Sequence, residues 1–247
     1  MMRTCEICGK RLTRNQKRFC SKKCYWQSRW KQPDWSKKEP LSYIIGVLMG
    51  DGWAYVDKRG IGYIGLQQTR EEFARSFYDA LMSLSLAPKM YIVPKEGGGY
   101  ICGNKVKSRK DQILVRACSR AFVEWYRSSS LEEISQIVLS SKSTAKEFVR
   151  GFYESEGTNY VSRTSRGRPY WVIELTNSNL EILKLVKKAI EKIGFHFHLS
   201  KKHNKMYRLY SAHALRNRLF LEEIKPCIKN QIYYLPLKWR GIKGGKL

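Results

Sequence analysis

Two apolar segments of this chain end on an acid followed by glycine: LSYIIGVLMGDG at residues 41–52 and KEFVRGFYESEG at residues 146–157. Both read as helices. Pro40 suits a helix start, and Thr144 with Glu147 can form a capping box. Gly52 and Gly157 are expected to stop the two helices in the left-handed conformation that glycine tolerates. Small residues recur four apart, Gly46 and Gly50 in the first segment and Gly151 and Ser155 in the second. Residues four apart share a helix face, and small side chains there let two helix backbones approach closely. If the two helices cross on these faces, Asp51 and Glu156 become neighbours. Two carboxylates at helix C-termini repel each other and the dipole ends. Mg²⁺ relieves such a pair, because it takes one or two carboxylates together with waters and phosphate oxygens. A single acid-glycine helix end is commonly a polar residue entering a turn; the doubled pattern argues for a site.

The repetition extends beyond these two segments. A strand-rich stretch comes next, residues 53–67 with a turn at Lys58-Arg59-Gly60 in the first copy and residues 158–176 with a turn near Arg166-Gly167 in the second. An amphipathic helix is expected over residues 66–84 and again over 175–193. VRACSRAFVEW (115–125) then pairs with RLYSAHALRNR (208–218), each a strand running into a helix. The offset between copies falls from 109 (Leu66 to Leu175) to 92 (Ser119 to Ser211), which assigns about 17 extra residues to the first copy, in a hairpin over Lys95–Asp111. Each copy reads helix, two strands, helix, two strands, helix. The fold class is therefore α/β (α+β), with two pseudo-symmetric αββαββα halves whose antiparallel hairpins form one face. The expected division is 1–39, 40–142 and 143–247.

Charge narrows the partner. Lys and Arg number 47 against 21 Asp and Glu, a net charge of +26. A chain this basic repels itself unless it meets a polyanion, and nucleic acid is the first candidate; a cationic membrane-surface or ribosome-associated protein is the alternative. No stretch reaches the roughly 20 apolar residues that cross a bilayer, and MMRTCEICGKR lacks the apolar core of a signal peptide. A cytoplasmic protein that does not enter membranes is expected.

Four of the seven cysteines lie in CEICGKRLTRNQKRFCSKKC, residues 5–24. The spacing is C-x2-C, eleven residues, then C-x3-C. Two close thiolate pairs complete a tetrahedron around zinc, and Gly9 permits the tight turn. A disulfide framework is the competing reading, and an oxidising compartment is not indicated. A structural Zn²⁺ at Cys5, Cys8, Cys20 and Cys24 would supply the folding energy that so small a segment lacks. Cys102, Cys118 and Cys227 are scattered and expected to be reduced. Residues 1–40 carry twelve Lys and Arg against Glu6, Asp34 and Glu39, so the zinc segment either touches phosphates or serves as a cap. The stretch from Trp30 to Pro40 reads as a linker.

With these residues in place the sequence resembles the LAGLIDADG homing endonucleases: IIGVLMGDG (44–52) matches the first family motif and VRGFYESEG (149–157) the second. The resemblance covers about residues 41–235. It implies a monomer whose two halves meet at the motif helices and whose two sheets form a saddle on double-stranded DNA, at a long and nearly asymmetric site. It implies an intron-encoded, metal-dependent nuclease that cuts one phosphodiester in each strand. The family's acids map to Asp51 and Glu156, with Gly50 and Ser155 beside them in the metal site. Gln67 stands where the family often carries Gln, with Gln68 adjacent, whereas the second copy has Thr176 and Asn177. A family lysine after each half maps to Lys142 and Lys229. An RNA maturase acting on its intron, or an inactive DNA-binding regulator on the same scaffold, are the alternative functions.

Groove-facing strands would supply the DNA contacts. The candidates are Tyr55, Lys58, Tyr63 and Gln67 in the first half and Asn159, Arg163, Arg168 and Glu174 in the second. Arg116 and Arg208 are taken as equivalent in the repeat. His196, His198 and His203 could be imagined as a second zinc site, but Phe195/His196/Phe197/His198 alternates like a strand with one apolar face. Beyond Glu223 the tail carries Lys225, Lys229, Lys238, Arg240, Lys243 and Lys246, and is expected to lie along phosphate backbone.

Overall fold

The computed structural model describes residues 3–6, 8–22, 24–25, 32–95, 99–101, 104–106, 110–202 and 205–234, with 99–101 and 104–106 as backbone only. Trp30, Cys102, His203, Lys238, Arg240, Lys243 and Lys246 lie outside the described residues, so the second zinc site and the basic tail concern them in part.

Helix α1 (Lys38–Leu48) has every residue from Leu41 to Leu48 buried. A helix apolar all round must sit inside a protein, and each large side chain so buried stabilises the fold by roughly 1.5–3 kcal/mol. It starts two residues before the expected Pro40. Proline at the third helical position loses an N–H that has no intrahelical partner there. Hairpin β1 (Trp53–Val56) and β2 (Gly62–Gln68) follows, then α2 (Glu71–Ser83), β3 (Lys89–Val93), a small hairpin β4 (Gly99–Ile101) and β5 (Asn104–Val106), and β6 (Gln112–Cys118). Helices α3 (Arg120–Ser128) and α4 (Leu131–Val138) close the first half. The second half runs α5 (Lys142–Glu156), β7 (Gly157–Arg163), β8 (Pro169–Asn177), α6 (Leu180–Lys192), β9 (His198–Lys201), β10 (Tyr207–Ser211) and α7 (Ala214–Ile224).

The two four-stranded sheets are antiparallel and share one order, β1-β2-β6-β3 and β7-β8-β10-β9. One face of each sheet covers a common core built on α1 and α5. Ile64, Leu66, Val115, Trp171, Ile173, Leu175 and Leu209 point into it. The repeat is thus real, with two additions to the first half: the β4–β5 hairpin and helix α4.

Local details differ from expectation in instructive ways. The helices expected at 66–84 and 175–193 begin later, because residues 66–68 and 175–177 complete β2 and β8. The cap of α5 is Ser141 with Thr144, not Thr144 with Glu147. Neither Gly52 nor Gly157 is left-handed among the positive-φ residues, and Gly157 has φ −74. These glycines answer to space instead: a Cβ on Gly157 would stand 2.4 Å from the Tyr153 ring, and one on Gly52 3.0 Å from Leu48. The stretch before α1 is no loose linker from Pro33 on. Pro33 is buried, the Asp34 N–H donates to the Leu84 carbonyl at 2.9 Å, and Trp35 stacks on Phe122.

Register corrects the alignment of the halves. Gly65 and Glu174 are equivalent at the offset 174 − 65 = 109, and their partners across the ladder are Arg116 and Tyr210. The N-caps of the following helices are Ser119 and His213, at 213 − 119 = 94. The second offset is therefore 94 rather than 92, the insertion is 109 − 94 = 15 residues, and Arg116 is equivalent to Tyr210, not to Arg208. Arg208 matches Leu114. A slip of two residues preserves the face, so the sequence pattern alone could not detect it.

Candidate active site

Helices α1 and α5 pack backbone against backbone. A Cβ on Gly46 would lie 2.3 Å from the Phe148 carbonyl oxygen, and the Gly151 position stands equally close to the Tyr43 carbonyl. One turn further on, Gly50 rests on Ser155 and on Glu156, whose Cγ would be 3.0 Å from an added Cβ. That contact brings the two helix ends together, with Asp51 just past α1 and Glu156 the last residue of α5. Burial against the helix ends pushes both carboxyls up, and the charge of Asp51 pushes Glu156 up further. Lys229 opposes the shift at both.

Gln68 Nε2 donates to Asp51 Oδ2 at 2.8 Å. The expected residue was Gln67, and strand alternation explains the correction. Gln68 shares its face with the core residues Ile64 and Leu66, hence with the helix ends, while Gln67 points to the outer face and donates to Gln112 Oε1. The counterpart of Gln68 is Asn177 (68 + 109), which donates to the Met49 carbonyl at 3.4 Å rather than to an acid. The two acids therefore have different neighbours.

The lysines also part company. Lys229 follows α7 in a segment that returns across the end of α5, and its ammonium donates to the carbonyls of Glu154 and Ser155, each at 2.7 Å. Burial holds its pKa below the ordinary value, against the pull of Asp51, Glu156 and Glu154. Lys142 is not at the site. It opens α5, fourteen residues from Glu156 and so roughly 21 Å away along the axis, and pairs with Glu223 at 3.7 Å. The first half spends the residues after α3 on helix α4, so no lysine returns to the crossing. Residues that sequence patterns did not single out complete the centre. Glu154 is buried, accepting from Tyr43 Oη at 2.5 Å and from the Cys227 N–H at 2.8 Å. An acid one helical turn from an apolar position looks like any surface residue, and only the crossing with α1 encloses it.

The sheets' outer faces carry part of the expected DNA-contact set. On the first, Trp53, Tyr55 and Tyr63 form a row with ring centroids 5.4 and 5.5 Å apart, and the Arg116 guanidinium lies over Tyr63 at 5.1 Å. Lys58 stands in the turn between β1 and β2. On the second, Glu174 is enclosed by cations, with Lys202 Nζ at 2.6 Å and Arg208 Nη1 at 3.1 Å. Glu174 is thus a buried anchor for basic side chains rather than an exposed contact. Asn159 faces the opposite side of β7. Its amide accepts from Trp171 Nε1 and donates to the carbonyls of Lys229 and Gln231, so it binds the returning chain rather than facing out from the sheet. Arg163 shares that side, at the hairpin tip, donating to the Gly167 carbonyl; Arg168 lies in the same turn.

The four N-terminal cysteines converge, with all four sulfurs within 4.8 Å of one another and Cys8–Cys20, Cys20–Cys24 and Cys8–Cys24 at 3.5, 3.6 and 3.6 Å. Disulfide sulfurs stand about 2.05 Å apart, so none is bonded here. Four sulfurs about 2.3 Å from one ion would be about 3.8 Å apart in a tetrahedron, close to these separations. Gly9 makes the turn with φ +70. Among the described residues no other His, Cys or acidic group forms such a cluster. His196 and His198 are exposed, while Phe197 is buried against Phe220.

Residues 143–225 match the family model described as a LAGLIDADG-like domain. The chain carries a LAGLIDADG-like domain. Two uncharacterized proteins of Methanocaldococcus jannaschii, MJ0314 and MJ0398, are each 28% identical to it, over 69% and 68% of the chain. The chain spans 60% and 55% of their lengths. The LAGLIDADG fold recurs in variants of the homing endonuclease I-DmoI, at TM-score 0.50 and 19% identity, covering 76% of this chain and 95% of that one. I-DmoI in complex with DNA and Mn aligns at TM-score 0.50 and 18% identity, covering 76% and 96%. Full-length WhiA from Thermatoga maritima aligns at TM-score 0.51 and 17% identity, over 85% of this chain and 60% of that one. The fold is thus common to nucleases and to WhiA. No described helix is long and apolar enough to cross a membrane.

Proposed function

We propose that the protein is a site-specific, metal-dependent double-stranded DNA endonuclease of the homing type, with Asp51 and Glu156 holding divalent metal, Mg²⁺ first among them. The observation that carries this reading is the crossing itself. Two carboxyls, both raised by burial and Glu156 further by the charge of Asp51, stand at adjoining helix ends. Their donor set fits a hard cation that keeps waters and takes phosphate oxygens. A divalent ion bound there supplies Lewis acidity and a more acidic water. The chain's own contribution is placement and charge. Gln68 holds the Asp51 carboxylate, and Lys229 sets a cation where a phosphate's developing charge needs one. Tyr55, Lys58, Tyr63, Arg116, Arg168 and Arg208 are proposed to meet the DNA, as a monomer on a long site. Zinc at the four cysteines is proposed as the structural metal of residues 3–25, and metal analysis of protein purified without chelator should find one equivalent.

The competing reading is DNA binding without cleavage, favoured by the match to WhiA over 85% of the chain. Cleavage of a randomised double-stranded library with Mg²⁺, beside Asp51→Asn, decides between them. Breaks at one site that vanish in the variant support the nuclease. Tight binding without breaks supports the regulator or, if structured intron RNA is preferred, the maturase.

A further inference from the structure

After α7 the chain returns through residues 225–234 to the helix crossing, and Lys229 is the residue it delivers. Its backbone is left-handed, with φ 57, a conformation that costs a residue with a Cβ about 1–2 kcal/mol and that specific partners hold here. The Lys229 carbonyl accepts from Tyr153 Oη at 2.7 Å and from Asn159 Nδ2 at 3.1 Å. Asn159 Nδ2 also donates to the Gln231 carbonyl at 2.6 Å, and its Oδ1 is fixed by the indole of buried Trp171. Two residues upstream, the Cys227 N–H donates to Glu154 Oε1, while Oε2 accepts from Tyr43 of α1. None of Tyr153, Glu154 and Asn159 is spent on the outer faces of the sheets.

We propose that Tyr153, Glu154 and Asn159 are positioning residues that act through Lys229, forming a cradle that holds its ammonium against the end of α5, within electrostatic reach of the two acids. This deepens the nuclease reading and rests on it for the role of Lys229 in cleavage. The cradle as such is a claim about where that ammonium stands. Held there, the ammonium opposes a divalent ion, and a loosened loop lets it swing away. The cradle therefore tunes metal affinity as well as rate.

The test is a double-mutant cycle on the full chain with Tyr153→Phe and Lys229→Met, read by Mn²⁺ calorimetry and by single-turnover cleavage. Lys229→Met removes a cation facing two carboxylates and should tighten Mn²⁺ binding about tenfold. Tyr153→Phe, which deletes one oxygen, should tighten it about threefold and slow cleavage about tenfold at unchanged DNA affinity. In the double variant the Tyr153 change should add nothing to either reading, since its only route is the lysine. Additive effects in the cycle, or unaltered Mn²⁺ affinity in Tyr153→Phe, would overturn the cradle. Glu154→Gln, which keeps an acceptor for the Cys227 N–H, should retain more of both properties than Glu154→Leu; equal losses would also count against it. If the wild-type protein binds Mn²⁺ but cuts no DNA, the nuclease reading fails while the Mn²⁺ cycle still decides the cradle. No Mn²⁺ binding at all would overturn both.

Discussion

The two halves share their framework and differ in what surrounds their two acids. The first-half acid, Asp51, has an amide donor in Gln68, whereas the counterpart Asn177 turns to a backbone carbonyl. The second half sends Lys229 back to the crossing, whereas the first continues from α3 into helix α4, which leads to the start of α5. The outer faces diverge as well. At one position of the repeat the first sheet has Gly65, which leaves room for the Trp53 ring, and the second has Glu174, which binds Lys202 and Arg208. Symmetry is kept where packing needs it, at Gly46 and Gly151, and given up where a substrate with two unlike strands would be met. An asymmetric DNA site needs unlike faces, and a pair of scissile phosphates does not need like surroundings.

The largest expected effect tests the symmetric part. Gly46→Val and Gly151→Val each force a side chain into a backbone of the other helix. Each should cost more than about 3 kcal/mol in denaturant unfolding, and by similar amounts. A mild effect in one alone would break the symmetry claimed for the crossing. Next come the lysines. Lys229→Met should slow cleavage by about 10²-fold with DNA affinity little changed, and Lys142→Met should leave the rate within about twofold; a comparable loss in both would restore a symmetric pair. Smaller again is the amide. Gln68→Ala should slow the cut of one strand about tenfold and spare the other, so that nicked product accumulates on end-labelled DNA, whereas Asn177→Ala should produce no such bias.

A further effect is on stability. Both carboxyls are raised in the folded protein, so the unfolded chain gives up their protons first as pH rises. Metal-free protein therefore loses stability from about pH 4, the ordinary carboxylate value, through the raised values, and the loss is complete above them. Mg²⁺ binds the ionised pair and should restore stability there, by about 2.7 kcal/mol at a hundredfold excess over its Kd. No gain is expected below pH 4 or in Asp51→Asn. A melting temperature indifferent to Mg²⁺ at pH 8 would remove the paired-acid account.

Much of this was legible in the sequence because it depends on period and residue size. Glycines four apart announced the crossing, acid-glycine ends announced Asp51 and Glu156, and cysteine spacing announced the four-sulfur cluster. The errors arose where period carries no information. Gln67 and Gln68 are adjacent, and only the burial of Ile64 and Leu66 tells which faces the acid. The equivalence of Arg116 with Arg208 failed by two residues, a shift that leaves alternation intact. The resemblance places a lysine at Lys142, but the added helix α4 changes the path of the chain after the first half. Glu154 and Tyr153 gave no signal, and Asn159 reads as a groove contact, because the returning chain and the facing helix that engage them lie 70 or more residues away.

The most direct measurement is strand-resolved cleavage of the selected DNA site with Mg²⁺ by the wild-type protein, Asp51→Asn and Glu156→Gln, beside binding of the same DNA. The account predicts that the wild type cuts both strands and that each variant loses at least about 10³-fold in rate while binding within a few-fold of wild type. Full cleavage by either variant would contradict it, because the two acids would then not form one centre.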